Sequence, residues 1–165
     1  MSTQSRKTNS KEDLGVTQRE IAKMTQAVLI CLLDLNSQIK QAHWNIEGEA
    51  FLSFHRQLDD IYHYFDEAID QLAERQRSLG VHAIGSPKVL AENSELESFP
   101  EGLVTVNNAM ILLSSRLNAA SFHVRSVLER IDELDPVTND LLVQICGNIE
   151  KFKWLIDSQI VVERF

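Results

Sequence analysis

The chain has 165 residues and a formal net charge of −8, with 44% hydrophobic residues but only three prolines and six glycines. This composition favours a single domain of long helices over a β fold. No apolar run is long enough to span a membrane and no hydrophobic leader begins the chain, so we expect a cytoplasmic protein without a membrane partner. Cys31 and Cys146 form no CxxC motif and no disulfide framework, and we expect both to be buried thiols.

The N-terminal part divides into a tail and a first helix. Residues 1–16 are polar and without periodicity, which predicts a flexible tail ahead of a domain over 17–165. Thr17, with Glu20 three residues later, is typical of a capping box, so we expect the helix to begin there. It should end near His43. A short connection over 45–50 then makes the second helix its antiparallel neighbour.

The second helix combines a core stripe with a second face that carries potential metal ligands. Residues 51–79 contain no proline or glycine, and their apolar residues recur at helical spacing. Four side chains share a different arc of about 100°: His55, Asp59, Asp70 and Glu74. With His43 just before the helix, these imidazoles and carboxylates suit iron, zinc or manganese. The simpler alternative is a solvated charged face.

The remaining elements predict an all-α fold. Residues 80–102 form a connection long enough to run the length of a bundle, and a short helix fits over 88–93. A third helix is predicted from Leu103 to Leu134, and Asp135-Pro136 should cap and start the fourth. Helices two and three can then be parallel. The prediction is a four-helix bundle with one long crossover between helices two and three, the ferritin-like arrangement.

The spacing of the ligand pairs predicts an intersubunit site. His55/Asp59 and Asp70/Glu74 each lie four residues apart, but Asp59 and Asp70 are about 16 Å apart along the helix, too far to share one ion. In an antiparallel two-fold pair, residues whose numbers add up to the same total face each other. That condition holds for His55 with Glu74 and for Asp59 with Asp70. A two-fold axis near residues 64 and 65 would therefore create two identical sites.

These motifs resemble the Dps family, the DNA-binding proteins from starved cells. The similarity covers the segment HWNIEG from His43, then His55 and Asp59, and the segment DQLAER from Asp70, and extends over the chain after the tail. It implies a twelve-subunit shell that oxidises Fe(II), preferentially with hydrogen peroxide, and stores the ferric mineral, which protects against oxidative stress. No organic cofactor is implied. In that family pattern His43, His55 and Asp59 belong to one subunit, and Asp70 and Glu74 to its two-fold mate.

The same resemblance suggests roles for residues around this site. Trp44 would lie beside the metal centre, where it either packs or quenches oxidising radicals. Acidic residues near the connection between the third and fourth helices would line three-fold pores that concentrate cations. The candidates are Asp132, Asp135 and Asp140, with Glu133 as a further one; the alternative is that Asp135 is only a helix cap and the others are solvated.

Two further hypotheses come from position and charge. His63 and Asp66 satisfy the same two-fold condition, so they should meet across the axis, in a hydrogen bond or an accessory metal position. DNA binding is the alternative function, with association with the nucleoid as its consequence. Twelve copies of a chain with charge −8 would repel the phosphates of DNA. Only the tail, through Arg6, Lys7 and Lys11, could then attract them.

Overall fold

The computed structural model describes residues 5–160, which form five α-helices and two very short strands. In chain order they are α1 (Ser5–Asn45), β1 (Ile46–Glu47), α2 (Phe51–Ser78), α3 (Pro87–Asn93), β2 (Val104–Thr105), α4 (Val106–Leu134) and α5 (Pro136–Asp157). Helices α1, α2, α4 and α5 are the four helices of the bundle, and α3 lies in the crossover. The predicted fold class and the short crossover helix are confirmed.

The predicted start of the first helix is wrong. Helix α1 begins at Ser5 and continues through Thr17, so residues 5–16 belong to the helix that they were expected to precede. No proline interrupts this stretch, and extending an existing helix costs far less than nucleating one. Only residues 1–4 of the predicted tail lie outside the described residues at this end. The side chains of Arg6, Lys7 and Lys11 also lie outside the described part.

The core forms where the apolar stripes of the four helices meet. The largest side chains in it are fully buried, including Leu32, Leu35, Phe54, Phe65 and Leu117. Burial of each such side chain stabilises the fold by roughly 1.5–3 kcal/mol. Cys31 and Cys146 are free and buried, as predicted.

Two apolar residues at the predicted starts of the second and third helices are exposed. Phe51, at the first position of α2, is 41% exposed, and Leu103 is 69% exposed. Leu103 precedes α4 because Val104 pairs with Ile46 in a parallel β bridge, and Thr105 then caps the helix by accepting a hydrogen bond from the Asn108 N–H. The predicted start of the third helix at Leu103 is therefore three residues early.

The crossover is held against α1 and α4 by polar contacts. The Gln26 side chain bonds both the carbonyl and the N–H of Ile84, at 2.6 and 3.0 Å. Gly85 comes so close to Leu33 that an added Cβ would lie 2.8 Å from the leucine Cδ1. Buried Arg116 donates to the carbonyls of Glu97 and Ser98. These contacts return the chain to the end of the bundle where α2 began, so α2 and α4 run parallel.

Within residues 5–160, every helix is too short or too polar to cross a lipid bilayer.

Candidate metal centre

Three of the predicted ligands meet at one end of the bundle. His43 lies in the last turn of α1, and His55 and Asp59 lie in the first turns of α2. Because only five residues separate the two helices, the α1–α2 hairpin turn brings these side chains together. One donor atom from each residue lies within 4.8 Å of the others. That spacing suits a common metal ion, since bonds of about 2 Å place ligand atoms 3–4 Å apart.

The two imidazoles are held in a defined orientation. Their rings stack with centroids 3.6 Å apart, and the Phe51 ring lies 5.2 Å from that of His55. The Nδ1 atom of His55 is 3.0 Å from the carbonyl oxygen of His43. A carbonyl can only accept, so Nδ1 carries the proton and the lone pair of Nε2 is free for a metal.

His43 has ring nitrogens that a metal would satisfy. The residue is 9% exposed, and neither nitrogen makes a well-aligned hydrogen bond within the described residues. Its Nε2 atom lies 2.9 Å from Asp59 Oδ2, close enough for an electrostatic contact. Buried polar atoms normally have partners, because leaving one unpaired costs about 1–3 kcal/mol. The donor set of two imidazoles and a carboxylate therefore fits a divalent transition metal.

Lys40 is a member of this cluster that the sequence reasoning missed. Its Nζ atom donates to Asp59 Oδ1 at 2.9 Å and lies 4.7 Å from the centre of the Tyr62 ring. The hydrogen bond from Lys40, and then the close contact with His43, lower the pKa of Asp59 against the opposing effect of burial. Lys40 precedes His43 by three residues, which places both on one face of α1. That spacing is the signal that could have found it.

Asp70 and Glu74 do not join the cluster in the single chain. Both are exposed further along α2, at about 16 and 22 Å from Asp59 along the axis. In the part of the chain that the structure describes, neither accepts a hydrogen bond or forms an ion pair. One chain therefore assembles three of the five predicted ligands and leaves two carboxylates directed to solvent.

Comparison with known proteins identifies the family. A model of the ferritin-like domain matches residues 22–165. The DNA protection during starvation protein of Agrobacterium fabrum is 28% identical over 133 residues, which are 80% of this chain and 82% of that protein. A structure of Mycobacterium smegmatis Dps is similar with a TM-score of 0.85 and 26% identity, and the match covers 89% of each chain. This chain belongs to the Dps family.

The family includes a relative with a different name. The fine tangled pili major subunit of Haemophilus ducreyi is 33% identical over 140 residues, which are 85% of this chain and 74% of that protein. Dps92 of Deinococcus radiodurans, at 26% identity, gives a TM-score of 0.84 and covers 86% of each chain. Relatives of this chain thus carry different names, although the chain is similar to each of them over most of its length.

Trp44, the tryptophan that the Dps resemblance places near the centre, is 68% exposed. It lines a groove of about 710 Å³ between α1 and α2, together with Lys40, Tyr62 and Asp66. His63 lies on the same exposed side of α2, with its ring 5.5 Å from that of Tyr62. This face is polar, carries an uncovered indole, and adjoins the metal cluster.

The acidic residues of the turn between α4 and α5 differ in their contacts, and Asp135 is paired within its own chain. Asp135 occupies the N-cap position of α5 but makes no side-chain capping hydrogen bond. Its carboxylate instead accepts from Arg75 at 2.6 Å and from the Thr138 hydroxyl at 2.5 Å. Burial tends to raise the pKa of Asp135, but the hydrogen bonds from Thr138 and Arg75 outweigh it and lower the pKa. The charge of Asp135 is thus neutralised within its own chain.

The other acidic residues of this turn are exposed. Glu133 pairs with Arg130 at 2.8 Å, whereas Asp132 and Asp140 accept only from the amides of Asn139 and Gln144. A pore that concentrates cations would need carboxylates whose charge is free to attract them. Asp132 and Asp140 meet that requirement better than Asp135, and the pore role of all three remains a prediction.

Proposed function

We propose that this protein oxidises Fe(II) at sites shared between two subunits and stores the ferric product inside a closed twelve-subunit shell. The observation that carries the proposal is the convergence of His43, His55 and Asp59 from two helices, with donor atoms within 4.8 Å of one another. Membership of a ferritin-like family supports iron as the metal. The preference for hydrogen peroxide rests on the resemblance to Dps proteins alone.

Each residue of the half-site would have a distinct role. Asp59 supplies the negative charge, and its lowered pKa keeps it ionised at all pH values near neutrality. His55 offers Nε2 because its Nδ1 proton is held by the His43 carbonyl. Before iron binds, the ammonium group of Lys40 donates a hydrogen bond to the Asp59 carboxylate. An arriving ferrous ion would displace that ammonium group.

The second half of the site would come from a two-fold partner. Asp70 and Glu74 are exposed and unpaired within the described residues, and they lie at the distances along α2 that an antiparallel copy needs. A partner helix would bring Glu74 opposite His55 and Asp70 opposite Asp59. Three carboxylates would then balance most of the charge of two ferrous ions.

The redox step balances with two ferrous ions and one peroxide. Each Fe(II) gives one electron, and hydrogen peroxide accepts both electrons with two protons and forms two waters. Paired delivery of the electrons avoids the release of a hydroxyl radical. The protein supplies binding and orientation, while the metal and peroxide carry out the electron transfer.

Mixed assembly of two inactive variants tests both the chemistry and the shared site. Asp59→Ala and Glu74→Ala should each slow the peroxide-driven oxidation of Fe(II), measured anaerobically, by about 100-fold or more. Even residues that only hydrogen-bond to a metal ligand contribute about 10–100-fold to affinity or activity, and a ligand should contribute at least as much. Shells refolded from a mixture should regain activity, because some interfaces then contain one complete site. Asp60→Ala removes a neighbouring exposed carboxylate and should keep the wild-type rate. Wild-type activity in both ligand variants, or in a monomer, would contradict the proposal.

DNA binding is the second candidate, favoured by relatives named DNA protection during starvation proteins. The net charge of −8 opposes it, since DNA affinity depends mainly on neutralised phosphates. A gel shift at low salt, with and without residues 1–16, separates the two functions: a shift that needs these residues supports DNA binding, and no shift at all excludes it.

A further inference from the structure

The exposed face of α2 carries two more side chains at the centre of the predicted two-fold contact. His63 and Asp66 are both exposed and lie three residues apart, within an arc of about 60° that also includes Asp59 and Asp70. Among residues 15–160, Asp66 has no hydrogen bond or ion pair, and the contact of His63 is with the Tyr62 ring. Within these residues, neither side chain makes a hydrogen bond or an ion pair.

We infer that His63 of one subunit donates a hydrogen bond to Asp66 of a second copy, and that two such contacts fix the register of the dimer. The occupant of this face is thus a second copy of the chain. The inference rests on the proposed function, because it uses the same two-fold axis near Tyr64 and Phe65. The inference goes beyond the proposed function, because neither His63 nor Asp66 takes part in iron oxidation.

Charge supports this assignment. Without metal, two copies of α2 would bring acidic faces together, since each carries Asp59, Asp66, Asp70 and Glu74. Like charges placed directly opposite each other weaken an interface. On this arc His63 is the donor nearest to the axis, and an imidazole N–H facing each Asp66 offsets part of this repulsion at the centre.

The position also specifies one register. A slide of one helical turn, about 5.4 Å, would place Asp66 opposite Asp59 or Glu67 of the partner, both like charges, and would misalign both iron sites. In one of the two directions His63 would face Asp70 instead, so the register depends on Asp66 as well as on His63. A contact between unlike residues at the axis is self-complementary, since each subunit contributes one donor and one acceptor. The pair would therefore select the register in which the two ferrous ions can bind, before iron is present.

An exchange of the two residues tests the contact. His63→Asp places two carboxylates opposite each other and should weaken association of the metal-free protein on the order of tenfold. Asp66→His should weaken it less, because it removes an acceptor without placing two carboxylates opposite each other. The double variant His63→Asp/Asp66→His restores both contacts with the roles reversed, and its association should return to within about twofold of wild type. Association is measured by light scattering over a dilution series in excess EDTA.

Controls and outcomes separate this inference from the proposed function. Asp60→His changes an exposed residue outside the arc and should leave association unchanged. No loss in the single variants, or no recovery in the double variant, overturns the inference. Wild-type association that falls when EDTA is added also overturns it, because a metal would then hold the two copies together. Recovery of iron oxidation in mixed Asp59→Ala and Glu74→Ala shells, together with failure of the exchange, would reject the His63 contact and keep the iron site.

Discussion

Asp59 and Asp135 are two aspartates that the sequence marked as functional, and each is paired with a cation in the structure. Lys40 donates to Asp59 at 2.9 Å, and Arg75 donates to Asp135 at 2.6 Å. Both carboxyl groups have a lowered pKa. The surroundings differ, since the Asp59 side chain is 37% exposed beside two imidazoles, whereas the Asp135 side chain is 14% exposed between Arg75 and Thr138.

We expect this difference to decide which carboxylate can exchange its cation. Lysine is a flexible point charge with a single contact to Asp59, so in the proposed iron site a ferrous ion with His43 and His55 as further ligands would take its place. Arg75 reaches from α2 to the α4–α5 turn and shares Asp135 with a buried hydroxyl. The first carboxylate is available for chemistry, and the second connects three elements of the fold.

The largest expected effect outside the proposed iron site is the loss of the Asp135 network. Asp135→Ala leaves Arg75 and Thr138 without their common acceptor and should lower the free energy of unfolding by about 2 kcal/mol. The rate of Fe(II) oxidation by the assembled protein should stay within about twofold of wild type. Denaturant unfolding followed by circular dichroism measures the first, and the peroxide assay the second.

A matched control for this substitution is its neighbour. Asp132→Ala removes an exposed carboxylate of the same turn and should change stability by no more than about 0.5 kcal/mol. If Asp135→Ala were as stable as the control but slow in iron uptake, the comparison would be reversed and Asp135 would belong to the entry path.

Acid should remove the same network by protonation. The pKa of folded Asp135 is lower than that of a free aspartate, about 3.9, so ionised Asp135 stabilises the fold fully above that value. The contribution is lost as the pH falls through the lowered pKa. Between pH 5 and pH 2.5, the unfolding temperature of wild type should therefore fall more than that of Asp135→Asn. Parallel curves would show that the Arg75 contact contributes no net stability.

The fold was largely predictable from the sequence, because the positions of glycine, proline and apolar residues determine where the helices end. Gly80 and Pro136 lie next to observed helix ends, and the crossover over 80–102 predicted the parallel arrangement of α2 and α4. The start of α1 was missed because residues 5–16 have no apolar stripe, and helix propagation needs none. The β1–β2 bridge was missed because two residues are too few for a periodic signal.

The site was predictable where ligands follow helical spacing and less so where contacts join distant elements. His55 and Asp59 are four residues apart on one helix, and the hairpin turn adds His43. Arg75 and Asp135 lie 60 residues apart in the chain, so only the packing of α2 against the α4–α5 turn reveals their contact. The proposed ligands Asp70 and Glu74 would need a second subunit, so the structure of one chain leaves their role a prediction.

Lys40→Gln gives the smallest effect and tests whether the Asp59 pair is exchangeable. Glutamine keeps a hydrogen-bond donor but removes the positive charge that opposes an arriving cation. We expect Fe(II) to bind roughly fivefold more tightly at low salt, with a smaller gain at high salt, because exposed charges are screened. Anaerobic titration of Fe(II), with Lys23→Gln as the control for an exposed lysine of α1, measures this change. Weaker binding in Lys40→Gln would mean that Lys40 orients Asp59 for the metal and does not compete with it, and the two aspartates would then differ less than their surroundings indicate.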